Sequence, residues 1–227
     1  MLKTHSRLIL LINLIGLITG MSMAKNNSQG ELKVDDLFPY DRVLDVQITV
    51  DSEDWDTIRY QSRNFFEALH ESRQYAPIDH PYTYVEASVS INGVEFPGVG
   101  IRKKGFIGSQ NSTRPSLKIK LNHLDKEGHI DGLTNLTFNN NQQDVSLISQ
   151  FMGYSLFNAA GLPAPRCAYA NLTVNGQDLG IYAHVERVHR PLLKRAFGND
   201  NGVLYDCLLY TSPSPRAATL SRMPSSA

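Results

Sequence analysis

The stretch Gly98-Val-Gly-Ile-Arg-Lys-Lys-Gly-Phe-Ile-Gly-Ser109 interleaves glycines with three consecutive cations, Arg102, Lys103 and Lys104. Glycine lets a ligand approach the backbone closely, and successive amides can form an anion-binding concavity. The adjoining positive charge suits phosphate. A second basic segment, Pro115-Ser-Leu-Lys-Ile-Lys-Leu121, alternates strictly. As a strand it turns Leu117, Ile119 and Leu121 to one face and Ser116, Lys118 and Lys120 to the other. Two ammonium groups on one strand face either point to solvent or hold a polyanion, and the alternation alone fits both.

These segments need a scaffold, and the surrounding sequence describes one. Val43–Val50 is β-branched enough for a strand, and Asp51 or Ser52 then caps a helix in which Trp55, Ile58, Phe65, Phe66 and Leu69 recur near helical spacing. Two hairpins echo each other: Tyr84–Ile91 meets Val94–Ile101 across Asn92-Gly93, and Tyr169–Val174 meets Leu179–Val185 across Asn175-Gly176. Asn-Gly between β-rich runs is a strong hairpin signal because both central residues need positive φ. Asp144 opens a helix with an apolar stripe through Leu147, Ile148, Phe151, Met152, Ser155, Leu156 and Ala159, stopped by Gly161 and Pro163. Pro191 starts a short helix over 192–197, and Gly202–Tyr205 begins an extended run. Strands, one central packed helix, then more strands predict an α+β fold with a largely antiparallel sheet.

The ends differ from the middle. Lys3, His5 and Arg7, the apolar run Leu8–Thr19 broken only by Asn13, and Ser22-Met-Ala24 have the three parts of a secretory signal, with cleavage after Ala24. The run is short of the ~20 residues a bilayer span needs, so no stable membrane span is expected after cleavage. Residues 25–36 form a polar leader. At the other end, Cys207–Arg216 and Ser221–Ala227 resemble the translation of a transposase-type sequencing adaptor, with Ala217 departing from simple read-through. Residues 207–227 are therefore read as adaptor-derived, and the natural sequence as breaking off near Asp206.

Composition limits the functional classes. The 227 residues are 41% hydrophobic and 19% charged, with 22 basic and 22 acidic side chains, which gives no general pull toward nucleic acid. Residues 25–206 keep every acid and lose Lys3, Arg7, Arg216 and Arg222, for a net charge of −4. They keep one thiol, Cys167, which reads as a small apolar core residue. No Gly-x-Ser-x-Gly elbow or HExxH motif supports a hydrolase. His123, His129, Asp125, Glu127 and Asp131 read as a solvated loop rather than a metal site.

In order along the chain, Gly100-Ile-Arg-Lys-Lys-Gly105, Pro115–Leu121, Asn139-Asn-Asn-Gln-Gln-Asp144, Gly161-Leu-Pro-Ala-Pro-Arg166 and Val174-Asn-Gly-Gln-Asp-Leu-Gly-Ile-Tyr-Ala-His-Val-Glu186 resemble the CotH (spore coat protein H) kinase family. The resemblance covers roughly 37–206. It implies an atypical protein-kinase-like small lobe that ends before the large lobe. It also implies ATP with Mg or Mn as cofactors, and phosphorylation of Ser/Thr in coat or extracellular proteins, in a secreted or periplasmic setting. Carried over by position, Arg102 and Lys104 lie near the nucleotide phosphates. Lys118 or Lys120 is the phosphate-pairing lysine, and Glu186 lies near the turn between lobes. The acids that bind metal and accept the hydroxyl proton are expected downstream of Asp206. Two departures stand out. Phe106-Ile107-Gly108 replaces small polar residues, and helix 145–160 offers Gln150 where a glutamate would pair with the lysine. A nucleotide-binding scaffold without transfer, and a β-rich adhesion or carbohydrate-binding module, are the alternative readings.

Overall fold

A computed structural model describes residues 32–64, 81–106, 108–202 and 204. The signal segment, the first part of the polar leader, the positions Phe65, Phe66 and Leu69 expected in the first helix, Ile107 and the 207–227 tail lie outside the described residues. So do Val203 and Tyr205 of the extended run at 202–205.

Seven strands close into a barrel. They are β1 (Leu44–Val50), β2 (Val85–Ile91), β3 (Val94–Lys104), β4 (Ser116–Lys120), β5 (Asn135–Asn139), β6 (Cys167–Val174) and β7 (Gln177–Val185). Around the barrel the order is β1-β2-β3-β4-β5-β7-β6. Every neighbouring pair is antiparallel except β1–β6, whose parallel register Val46↔Leu172 closes the sheet. The expected α+β class and the antiparallel bias both hold.

The interior follows strand alternation. In β1, Leu44, Val46, Ile48 and Val50 are buried while the residues between them are exposed. Ile101, Ile119 and Phe138 continue the same core across β3, β4 and β5. Both Asn-Gly turns adopt the required positive φ at Asn92, Gly93, Asn175 and Gly176. The two asparagines also grip β1. Asn92 Oδ1 accepts from Asp45 N at 2.9 Å. Asn175 bonds both Val50 N and Val50 O at 2.9 Å. The echoing hairpins thus hold the two ends of one strand.

Among the described residues three α-helices accompany the barrel: α1 (Ser52–Tyr60), α2 (Ser149–Ala159) and α3 (Arg190–Phe197). Asp51 caps α1, accepting from Glu53 N and Asp54 N, and Trp55 and Ile58 turn inward. Asp144 prepares α2 by accepting from Ser149 N at 2.8 Å. The expectation of a packed central helix is corrected here, because no residue of α2 is buried. Phe151 stacks on Tyr169 with centroids 5.2 Å apart, and Tyr154 packs against the outer side of β6 and β7. Met152 and Leu156, by contrast, are 58% and 69% exposed. The barrel fills its own interior, so the helix finds only an outer strand face to rest on. No helix among the described residues is long and apolar enough to cross a membrane.

Candidate functional site

Alternation along β3 separates its three cations. Arg102 and Lys104 lie on the outer face, whereas Lys103 turns inward, 2% exposed. The Lys103 amine donates to Arg59 O at 2.7 Å. Arg59 is in the last turn of α1, where carbonyls lack partners within the helix and favour a cation. Lys103 therefore ties α1 to the barrel and leaves the outer face to its neighbours.

On that face β3 and β4 form a grid. The register sets Arg102 opposite Lys118 and Gly100 opposite Lys120. Tyr84 lies beside the grid, with the Arg102 guanidinium 5.3 Å and the Lys120 amine 5.9 Å from its ring centroid. Arg187, just beyond β7, adds a further cation near Lys118. Among the described residues no ion pair joins Lys104, Lys118 or Lys120 to a carboxylate. The concentration of charge appears in the acidities of Lys118 and Lys104. Burial, and then Arg187, Arg102, Lys104 and Lys120, push the Lys118 amine down to about 8. Burial and Arg102 bring Lys104 to about 8 as well. Like charges held together at the cost of their own protonation mark a place where an anion would be stabilising.

A polar cavity of about 270 Å³ adjoins the grid, with Lys104, Gly105, Ser109, Asn139, Asn141 and Gln150 among its lining residues. Gly105 has φ 122°, and a Cβ there would meet Ser109 Oγ at 2.7 Å, so the turn requires glycine. The turn is braced from both sides. Ser109 Oγ accepts from Phe106 N at 3.0 Å, and Tyr82 donates to Gly105 O at 2.7 Å. Lys104 donates to Asn139 Oδ1, and Asn139 Nδ2 donates to Gln150 Oε1 at 2.8 Å. Helix α2 thus reaches the lysine through two neutral amides. Asn141 Nδ2 is buried without a hydrogen-bond partner among the described residues.

Glu186 is held elsewhere, in a clasp of its own. Its carboxylate, 3% exposed, accepts from Arg166 N at 3.0 Å and from the Arg166 guanidinium at 3.1 Å. Arg195 of α3 adds a bond of 2.6 Å. Burial pushes this carboxyl up, but the bonds from Arg195 and Arg166 outweigh it and hold it below the usual range. Arg166 also reaches Asp35 at 2.8 Å and lies over the Phe38 ring. The clasp fastens the Gly161–Arg166 turn, α3 and the segment before β1.

The structure therefore gathers Arg102, Lys104, Lys118 and Lys120 on one outer face and commits Glu186 to arginines. The profile of the CotH kinase protein family matches residues 101–223, more than half of the chain. The chain belongs to the CotH kinase family. The matched span begins within β3 and takes in all four cations. An inner spore coat protein H-like protein of Bacillus subtilis (strain 168) is 33% identical over 102 residues, 42% of this chain. The match spans about a third of that relative's length (33%).

As a kinase family, CotH implies use of ATP, and the donors on the outer face fit its phosphate chain: three lysines, a guanidinium, unpaired amide capacity at Asn141 and a glycine turn. The fit to a divalent metal is poorer. Asp144 is the one carboxylate among the residues lining the cavity. It already accepts from Ser146 at 2.5 Å and from Ser149 N. Among the described residues no group of three or more His, Cys, Asp and Glu could hold a metal ion. Sequence reasoning missed three participants. Arg187 gave no signal before the register was known, Tyr84 read only as the start of a strand, and Asn139 only as part of an asparagine-rich run.

Proposed function

We propose that this chain supplies the phosphate-binding lobe of a secreted CotH-type protein kinase, one that transfers the γ-phosphate of ATP to Ser or Thr hydroxyls of coat or extracellular proteins. The observation that carries this reading is the grid of Lys104, Lys118 and Lys120 with Arg102 on one face of β3 and β4, beside a glycine turn. Such a lobe corresponds to the small lobe of a kinase: it positions the phosphates and neutralises charge, which supply nearly all of phosphoryl-transfer catalysis. Lys104 and Lys118 hold phosphate oxygens, Lys120 and Arg102 flank them, and the Gly105 turn lets the backbone come close. ATP supplies the phosphoryl group, and the residues described in this lobe offer no cluster to hold Mg or Mn. The signal-like segment at 1–24 directs the protein out of the cytoplasm, where its substrate proteins lie.

A second reading, a scaffold that binds nucleotide without transfer, is favoured by one feature. The carboxylate at the cavity, Asp144, is already engaged by Ser146 and by Ser149 N at the start of α2. Labelled ATP with magnesium or manganese distinguishes the two readings, applied to this chain and to one whose reading frame continues past Asp206. The kinase reading expects no transfer from the first, and transfer from the second that falls sharply in Lys118→Met. Nucleotide binding by both with transfer by neither would establish the scaffold.

A further inference from the structure

Among the described residues, Lys104, Lys118, Lys120 and Arg187 bring more positive charge to the outer face than a metal-bound nucleotide would balance. Lys104, Lys118 and Lys120 share the face with Arg187 and with the Arg102 guanidinium. Asp144 is the one carboxylate at the adjoining cavity, and its two oxygens accept from Ser146 and Ser149. A divalent cation seated on a triphosphate cancels part of the negative charge that such a grid attracts. It also occupies phosphate oxygens that ammonium groups would otherwise take. With a free chain, by contrast, each lysine can make a short charge-assisted bond.

The geometry agrees with direct contact. Grid positions in an antiparallel pair lie about 5 Å apart across the strands, a spacing at which neighbouring phosphates of one linear chain can each meet a different side chain. Lys104 is oriented by Asn139, itself held by Gln150, so its amine is positioned before any ligand arrives. The buried Asn141 Nδ2 offers a further donor on the cavity wall.

We infer that the β3–β4 face grips a linear triphosphate chain directly, with no divalent cation between the phosphate oxygens and the lysines. This rests on the phosphate-site reading above and adds to it which form of the ligand this lobe takes. The nucleoside is not required for the grip, so inorganic tripolyphosphate and ATP share the site.

The test is calorimetric titration of the full chain with inorganic tripolyphosphate and, separately, with ATP, each in EDTA and then in excess magnesium. Both ligands should bind in EDTA and compete with each other, and magnesium should weaken each by several-fold. Lys118→Met should cost roughly tenfold or more in affinity, the loss of one charge-assisted bond. Lys118→Arg should recover most of it, and thermal melts should show both variants folded. ATP binding seen only with magnesium overturns the inference and leaves the phosphate-site reading standing. Absence of binding under every condition overturns both. Binding of tripolyphosphate that Lys118→Met and Lys104→Met leave unchanged places the anion elsewhere and also overturns the inference.

Discussion

Around Glu186 every charge has an answering charge, whereas Lys104, Lys118 and Lys120 share an outer face with no carboxylate paired to them among the described residues. The first cluster is buried, and its carboxylate meets Arg166 and Arg195 at 2.6–3.1 Å. The second lies on an outer strand face, and the Lys104 and Lys118 amines sit well below their ordinary range because burial and neighbouring cations oppose protonation. A satisfied charge network holds structure together, while an unbalanced one is a cost that a ligand can relieve. By residue type alone both clusters are sets of conspicuous charges, and partners separate the one that fastens the fold from the one proposed to hold phosphate.

The comparison breaks most visibly at the clasp. Glu186→Ala leaves two guanidinium groups without their carboxylate and should lower stability by about 3 kcal/mol, the usual scale for removing one partner of a buried pair. Urea denaturation monitored by circular dichroism measures this. A loss under about 1 kcal/mol would mean that water substitutes for the carboxylate and that the clasp is not structural.

His184 gives the next largest effect. It lies in the core, stacked between Phe38 and Phe138 with centroids 4.7 and 4.8 Å away, and Nδ1 meets Thr137 O at 3.1 Å. Burial brings its imidazole down to about 4. Between pH 6.5 and about 4 the unfolded chain takes up this proton and the folded one does not. Stability should therefore fall as pH drops through that window, by up to about 1.4 kcal/mol per pH unit. His184→Phe should flatten the slope in thermal melts taken across the window, and an unchanged slope would assign it to other groups.

Much of this architecture was readable in advance. The Asn-Gly turns fixed two hairpins because few residues accept positive φ at both central positions. Pro115–Leu121 declared its two faces by strict alternation. Strand β5 escaped notice because only Leu136 and Phe138 are apolar in a five-residue stretch flanked by asparagines. Barrel closure escaped too, since the β1–β6 pairing joins residues more than 120 positions apart, which no local pattern encodes. Of the basic triplet, Lys103 reads the same as its neighbours until strand alternation sends it inward. The apolar stripe of α2 was legible, but what covers it was not, because a stripe records a capacity to pack and names no partner. Gln150 was visible as the substitute for an acid, yet its link to Lys104 through Asn139 needed the fold.

Asn175→Ala should cost about 1–2 kcal/mol, since it removes both bonds to Val50 and places alanine at positive φ. Asn175→Gly, which keeps the backbone geometry, should recover part of that loss, and chemical denaturation of the pair separates the two contributions. Smallest is the effect of the grid on stability without ligand. Folded Lys104 and Lys118 release protons near pH 8 and their unfolded counterparts near 10.5, so stability should rise with pH between those values. Lys118→Met should relieve part of the repulsion at pH 7, by under about 1 kcal/mol because the group is half exposed and screened. Melting temperatures at pH 7 and 9 for both proteins test the sign.

The two clusters are set directly against each other by ATP affinity in Lys118→Met and Arg195→Met, each measured by titration at a temperature where melts show the protein folded. The account predicts that Lys118→Met loses roughly tenfold or more in affinity while keeping its stability. Arg195→Met should lose stability and bind as the parent chain does. Equal affinity losses in the two variants, or a loss in Arg195→Met alone, would contradict the division between a face that holds phosphate and a clasp that holds the fold.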